Sequence, residues 1–147
     1  MRYKVEIATP EDINSIRAFE LAARGKHMGS LESLETFLDH IGQIALLQAL
    51  EGVCKPLIGV MVYRFLKHEE QTKVHIIDLL IHPERRRKDL GKRFLKHLMN
   101  QADHHNWSLE ARINEHNLDG QLFLKSLGWV YPRTLPGEHD AYLFVYN

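Results

Sequence analysis

The stretch from residue 76 to residue 98 places an apolar run, a basic turn and an amphipathic pattern in succession, and this order limits the folds open to the chain. Residues 76–81 are almost continuously apolar and predict a buried strand, although a buried helical segment has the same pattern. Pro83 cannot donate a backbone hydrogen bond, so it ends the run. Beyond the turn, the apolar spacing predicts a helix with one buried face. That face consists of Leu90, Phe94, Leu95 and Leu98.

The turn between this strand and helix is strongly basic. Residues 84–93 contain six cations and two anions, a local net charge of +4 in a chain whose formal net charge is zero. The first N–H groups of a helix have no intrahelical partner and lie at the positive end of its dipole, so an anion binds well there. The concentration of charge therefore indicates a specific anionic ligand, such as a phosphate group, at the start of the helix.

The basic turn resembles the acetyl-CoA loop of the GNAT superfamily of N-acetyltransferases. The family pattern is Arg or Gln, two residues, Gly, one residue, then Gly or Ala, and here Arg86 takes the first position and Gly91 the last. Asp89 replaces the middle glycine. Aspartate tolerates a left-handed backbone better than most residues, so we expect the turn to form. Its carboxylate would repel a diphosphate unless it points away or pairs with Arg85 or Lys92.

The rest of the chain predicts one α/β domain over residues 1–147, with a mixed, largely antiparallel sheet flanked by helices. Strands are predicted at 1–8, 57–66, 73–81, 107–113, 129–132 and 141–146, and helices at 10–23, 31–41, 90–105 and 118–127. Two long apolar strands joined by the charged tip 67–72 form an antiparallel hairpin, so the sheet is not doubly wound. Residues 43–51 stay ambiguous: their composition favours a helix, whereas the resemblance implies a strand. Residues 135–140 are predicted to form a turn.

Two further stretches resemble the same family. Asn117, an apolar helix and the sequence Leu127-Gly128-Trp129 are similar to the family's C-terminal motif. Residues 109–112 (LEAR) resemble the strand of ribosomal-protein N-terminal acetyltransferases, in which a glutamate at the position of Glu110 acts as the base. The resemblance implies the acyl-CoA N-acyltransferase fold, acetyl-CoA as co-substrate and a primary amine as acceptor. It also implies that residues 31–41 form one wall of the acceptor site, with Glu32 and Glu35 as charged candidates.

Candidate site residues follow from this resemblance and from the chemistry of the side chains. The implied cofactor-binding residues are Leu79, Leu80, Ile81, Arg86, Arg87, Lys88, Asp89, Leu90, Gly91, Lys92, Asn117 and Leu124. Two carboxylates are candidate bases: Glu110 by resemblance, and Asp78 because burial inside an apolar strand would raise the pKa of its carboxyl group. The family often has a tyrosine acid where this chain has Leu124, which cannot donate a proton. Tyr131 and Tyr142 are the alternative donors.

Composition excludes several other kinds of protein. The neutral net charge and pI near 7.2 argue against a nucleic-acid binder, and no apolar run is long enough for a membrane span. The only cysteine, Cys54, rules out an internal disulfide and fits a reducing cytoplasm. The neighbouring His104 and His105 lack further ligands at helical spacing, so no metal is expected. The expected partner is an amine-bearing small molecule or peptide, and a homodimer is left open.

Two functions therefore remain to be distinguished. The first is transfer of an acetyl group from acetyl-CoA to a primary amine by direct attack. The second is a non-catalytic domain of the same fold that binds CoA or a protein partner. Both departures from the family pattern, Asp89 in the loop and Leu124 on the helix, favour the second function.

Overall fold

A computed structural model describes residues 2–25, 42–51, 53, 55–131 and 141–147, with only the backbone for residues 86–88. The predictions for residues 31–41, with Glu32 and Glu35, for Cys54 and for the turn at 135–140 lie outside these residues. Across the described ranges, no helix combines the length and apolar character needed to cross a membrane.

The described strands form one mixed sheet, as the sequence predicts. The strands are β1 (Arg2–Ile7), β2 (Gly42–Leu50), β3 (Leu57–His68), β4 (Gln71–Ile81), β5 (Ser108–Asn114) and β6 (Ala141–Tyr146). They lie side by side in chain order, and every neighbouring pair is antiparallel except β4 and β5, which are parallel. A parallel pair needs a long crossover connection, and here the crossover contains a helix.

Three α-helices are described: α1 (Ile13–Arg24), α2 (Leu90–His105) and α3 (Leu118–Ser126). Before α1, the backbone N–H of Thr9 donates to Oδ2 of Asp12 at 2.8 Å, which closes a capping box. Gly25 ends α1 with a φ of 76°, a left-handed conformation that glycine adopts at little cost. Helix α2 is the crossover between β4 and β5, so its first turn follows the end of β4.

The sheet is covered on both faces by apolar side chains. Helices α2 and α3 pack on one face through a cluster that includes Phe94, Leu95, Leu98, Leu109, Leu124 and Trp129. Helix α1 packs on the other face through a cluster that includes Ile13, Ile16, Phe19, Ile44, Val62 and Leu80. Side chains alternate between the faces along a strand, so each strand position is assigned to one of these two sides.

Strand β2 decides the ambiguity over residues 43–51. The helix favoured by composition is wrong, and the strand implied by the resemblance is confirmed. Strand β2 pairs with β1 and β3 along its two edges, and helices cover both of its faces: Ile44 packs on the α1 side, and Ala45 on the α2 side. A strand buried on both faces lacks the alternation that would identify it. The strand predicted at 129–132 is reduced to one bridge, between Val130 and Val145.

Strand β4 contains an irregularity that matters for the site. Val62 pairs with Asp78, but the next residue of β3, Tyr63, pairs with Ile76. Ile77 is therefore an extra residue on β4, which defines a β-bulge. A bulge bends its strand, and this one lies where the pairing of β4 with β5 stops.

Candidate active site

The strands β4 and β5 separate after a short paired segment. Their last paired residues are Ile76 and Ala111, although β4 continues to Ile81 and β5 to Asn114. A cavity of about 300 Å³ lies where they diverge, with Ile77, Leu79 and Ile113 in its wall. Between Ile77 and Leu80, the edge of β4 that faces β5 has no strand partner in the described part of the chain, so a ligand can pair with the backbone there.

A second cavity continues from the first towards the start of α2. It measures about 520 Å³ and is lined by Ile81, Asp89 and Lys92, among other residues. The two cavities share Leu79, Gly120 and Phe123 in their walls. They form a cleft that runs from the divergence of the strands to the N-terminus of a 16-residue helix.

The N-terminus of α2 has the geometry of an anion site. The N–H of Arg93 donates to the carbonyl of Asp89 at 3.0 Å, so the three N–H groups that precede it lie ahead of the helical hydrogen-bond series. Asp89 caps the helix in the left-handed conformation, with a φ of 55°, as the sequence predicts for aspartate at this position. Its carboxylate makes no capping hydrogen bond and lines the cavity together with Lys92.

The opposite wall of the cleft is the start of α3. Oδ1 of Asn117 accepts a hydrogen bond from the N–H of Gly120 at 2.9 Å, so Asn117 caps α3. The amide side chain of Gln121 is buried and donates to the carbonyls of Asn114 and Glu115 at 3.1 and 3.0 Å. These bonds connect α3 to the end of β5 and therefore set the width of the cleft.

Asp78 lies beside the bulge on the sheet face that carries α1. Its Oδ2 is 2.7 Å from the guanidinium of Arg24, the last residue of α1. Both side chains are about one-fifth exposed, so the pair is only partly screened by solvent. Asp78 also contributes to the wall of the cavity between β4 and β5. The ion pair connects the end of α1 to the bulged part of β4.

Glu110 lies on the same face, one position before Ala111, where the paired segment of β4 and β5 ends. Its side chain is only 12% exposed. Oε1 is 3.3 Å from Nδ1 of His75, its cross-strand partner on β4, and Oε2 is 3.9 Å from Nζ of Lys73. Glu110 is thus a buried carboxylate that lines neither of the two cavities and makes a long contact with a half-exposed lysine.

Comparison with known proteins agrees with this geometry. The family model described as acetyltransferase (GNAT) family matches residues 15–129. The chain belongs to the GNAT acetyltransferase family. The comparison with curated protein sequences gives no match.

Solved structures with low sequence identity share the GNAT fold of this chain. The ribosomal-protein-S18-alanine N-acetyltransferase of Escherichia coli superposes with a TM-score of 0.77 at 14% identity, over 98% of this chain and 92% of that chain. NAA60 of Arabidopsis thaliana, solved with a bisubstrate analogue, gives 0.76 at 16% identity, over 99% and 97%. The NatC complex bound to Gag peptide and CoA gives 0.73 at 15% identity, over 99% and 98%.

Most residues predicted to bind the GNAT co-substrate lie around the cleft. Some of them face it with their side chains, and others have only their backbone near it. Leu79 and Ile81 line the cleft, whereas the side chain of Leu80 packs against α1. Leu90 is buried in the core, so only its backbone is at the anion end. Gly91, Lys92 and Asn117 also line the cleft. The backbone of Arg86, Arg87 and Lys88 forms part of a short 3₁₀ helix, Pro83–Lys88, and their side chains lie outside the description.

Leu124, at the position where GNAT proteins often have a tyrosine, is an apolar residue and is buried in the structure. Leu124 is 4% exposed and lines the cavity between β4 and β5. The alternative donors are engaged with other rings: Tyr131 packs on Tyr142 at 5.4 Å between centroids and on Phe144 at 5.1 Å. Neither tyrosine lines the two cavities described above.

Sequence reasoning missed three residues of the site. Arg24 ends a helix 54 positions away from Asp78, so no local pattern connects them. His75 is a single polar residue in a strand, and only the register of β4 and β5 places it beside Glu110. No sequence pattern identifies the role of Gln121 either, because its partners are backbone carbonyls. In the described part of the chain, no three His, Cys, Asp or Glu residues lie close enough to hold a metal ion.

Proposed function

We propose that the chain is one acetyltransferase domain that moves the acetyl group of acetyl-CoA to a primary amine. The observation that carries this proposal is the continuous cleft from the divergence of β4 and β5 to the N-terminus of α2. Its apolar walls suit the pantetheine arm, the open edge of β4 suits the amides of that arm, and the helix N-terminus suits the diphosphate. Lys92 supplies a cation at the same end.

The transfer requires a free amine and a thiolate that can leave. The amine nitrogen attacks the thioester carbonyl carbon, a C–N bond forms, and the C–S bond breaks with its electron pair on sulfur. Glu110 takes the proton that the ammonium must lose, directly or through one water molecule. As the amide forms, the nitrogen loses its second proton to water, and the thiolate takes a proton from water because Leu124 cannot donate one. A thiol is far more acidic than an alcohol, so the thiolate is an adequate leaving group without a side-chain acid.

Glu110 is the better of the two candidate bases. Asp78 is engaged in an ion pair with Arg24 at 2.7 Å. The contacts of Glu110 are longer, 3.3 Å to His75 and 3.9 Å to the half-exposed Lys73, so its oxygens are less tightly engaged than those of Asp78. Asp78 is then assigned to hold the end of α1 against the bulge of β4.

The acceptor class is proposed from the related structures. The S18-alanine enzyme, NAA60 with its bisubstrate analogue and NatC with its Gag peptide are N-acetyltransferases or complexes of this fold. They support the amine of a protein N-terminus as the first acceptor to test. Small primary amines are the second class, because the fold alone does not select between them.

A non-catalytic CoA-binding domain is the second candidate function. It is favoured by the carboxylate of Asp89 in the anion end of the cleft and by Leu124 in place of a tyrosine. Calorimetric titration with acetyl-CoA, followed by a free-thiol assay with peptides and small amines, separates the two candidates. Binding together with thiol release supports the enzyme, and binding without release from any amine supports the second candidate.

The choice of base is tested by a matched pair of variants on one sheet face. We expect Glu110→Gln to lower kcat by about two to four orders of magnitude and to leave acetyl-CoA affinity unchanged, because a general base contributes about that much. Asp78→Asn is the control, and we expect a lower unfolding midpoint with a smaller loss of kcat. The assignment is wrong if Glu110→Gln turns over at the wild-type rate.

A further inference from the structure

The buried carboxylate of Glu110 has one close neighbour that nothing in the proposed reaction yet uses. His75 and Glu110 are cross-strand partners on the parallel strands β4 and β5. Nδ1 of His75 is 3.3 Å from Oε1 of Glu110, and the two side chains are 16% and 12% exposed. A hydrogen bond of this kind, shielded from water, restricts the rotamers of both side chains.

Burial favours the neutral form of His75. Burial is the largest effect and lowers the pKa of the imidazole, and the nearby guanidiniums of Arg64 on β3 and Arg112 on β5 act in the same direction. Glu110 opposes them through its charge and its hydrogen bond. The net pKa lies below the ordinary value, so His75 is uncharged at neutral pH.

We propose that His75 is a positioning residue, whose Nδ1–H donates to Oε1 of Glu110 and holds that carboxylate in the orientation needed to accept the proton of the acceptor amine. This inference rests on the proposed function, since it assigns a role to the neighbour of the proposed base. Of the two nitrogens in a neutral imidazole only one carries a proton, and the carboxylate requires that proton on Nδ1.

A neutral donor suits this role better than a cation would. An arginine or lysine at hydrogen-bonding distance would favour the charged carboxylate and weaken it as a base. Lys73 approaches Glu110 only to 3.9 Å, with a side chain 51% exposed, so solvent screens its effect. His75 can therefore fix the orientation of Glu110 without placing a positive charge against it.

Three substitutions test the role. We expect His75→Leu to lower kcat about ten- to a hundredfold, part of the full contribution of a general base, with unchanged affinity for acetyl-CoA. Asparagine places its amide nitrogen close to the position of Nδ1, so we expect His75→Asn to restore kcat to within about threefold of wild type. The matched control is His68→Leu, an exposed histidine at the end of β3, which we expect to leave kcat unchanged.

A double-variant cycle separates positioning from a general structural effect. If His75 acts through Glu110, His75→Leu causes no further loss of kcat in the Glu110→Gln background, because effects of residues that act as a unit are not additive. An equal loss in both backgrounds overturns the proposal. So does a wild-type kcat in His75→Leu while Glu110→Gln is slow, and this second result leaves the proposed function standing.

An NMR measurement on the wild-type protein tests the role of His75 without an activity assay, so the test remains possible if a variant fails to fold. Nitrogen-15 NMR of the wild-type protein at neutral pH distinguishes the two neutral tautomers of His75. We expect the Nδ1–H tautomer, and we expect Glu110→Leu, which removes the acceptor, to abolish its preference. An Nε2–H tautomer in the wild type overturns the proposal. A protein with the Nδ1–H tautomer that binds acetyl-CoA but acetylates no amine overturns the proposed function and this role together.

Discussion

At the residue scale, Asp89 combines a suitable backbone with an unsuitable charge. Its left-handed φ of 55° is the conformation that the loop needs, but its carboxylate lines the cavity proposed for a diphosphate. We expect Asp89→Gly to tighten acetyl-CoA binding about three- to tenfold, the effect of removing one exposed like charge. Titration calorimetry measures the change.

Asparagine at the same position separates charge from backbone freedom. Asp89→Asn keeps a residue that tolerates the left-handed region but removes the charge. We expect it to match Asp89→Gly at low salt, and we expect the gain of both variants to shrink as salt rises. An affinity for acetyl-CoA equal to or weaker than that of the wild type in both variants would show that Asp89 does not repel the diphosphate.

A second prediction at this scale concerns the pH dependence of stability. The pKa of His75 is lowered in the folded protein, chiefly by burial, and Arg64, Arg112, Lys73 and Glu110 surround it. Below about pH 6.5, His75 therefore binds a proton more readily in the unfolded chain than in the folded chain. The free energy of unfolding consequently decreases as pH falls through that value.

We expect His75→Asn to reduce this loss of stability. Urea unfolding of both proteins between about pH 7.5 and pH 5 gives the two slopes, because the ordinary histidine pKa lies in that interval. The control is His68→Asn, which replaces an exposed histidine. Equal slopes for wild type and His75→Asn would mean that His75 titrates alike in the folded and unfolded chains.

At the scale of an element, the start of α3 depends on the absence of one side chain. A Cβ at Gly120 would lie 2.6 Å from Nδ2 of Asn117, so the capping amide would have to move. Alanine normally stabilises a helix relative to glycine by about 1 kcal/mol. Here we expect Gly120→Ala to lower the free energy of unfolding by up to about 1 kcal/mol, since the lost cap costs about 0.5–2 kcal/mol and outweighs that gain.

The sign of this effect should reverse when the cap is already absent. In an Asn117→Ala background, we expect Gly120→Ala to raise the free energy of unfolding, because only the helix propensity of alanine remains. Denaturant unfolding of the four proteins completes the cycle. A destabilising Gly120→Ala in both backgrounds would show that Gly120 is needed for a reason other than its contact with Asn117.

At the scale of the whole molecule, the cleft joins parts of the fold that are otherwise separate. One wall comes from β4 and α2 and the other from β5 and α3, and the two walls share no strand pairing beyond Ile76 and Ala111. A ligand that binds both walls stabilises only the folded state. At a hundredfold excess over Kd we expect acetyl-CoA to add about 2.7 kcal/mol.

Thermal unfolding measures this stabilisation. The expected increase corresponds to a Tm shift of roughly 5 to 10 °C for a chain of this length. Acetylpantetheine lacks the diphosphate and is the matched control, for which we expect a much smaller shift at equal concentration. A Tm unchanged by acetyl-CoA would contradict a co-substrate site in this cleft, and equal shifts would contradict anion binding at α2.

The sequence by itself determined the strand, basic turn and helix around Pro83, the left-handed turn at Asp89, and the mixed sheet. These features depend on local rules of periodicity, capping and turn chemistry that act within a few residues. Strand β2 shows the limit of such rules, since its burial on both faces removed the alternation that identifies a strand.

Only the tertiary structure decided how the acids of the site are partnered. The register of parallel strands placed His75 beside Glu110, and packing of α1 brought Arg24 to Asp78 across 54 positions. The bulge at Ile77 and the separation of β4 from β5 also depend on neighbouring strands. Contacts between residues distant in sequence are set by packing of the whole sheet, so they leave no periodic pattern in the chain.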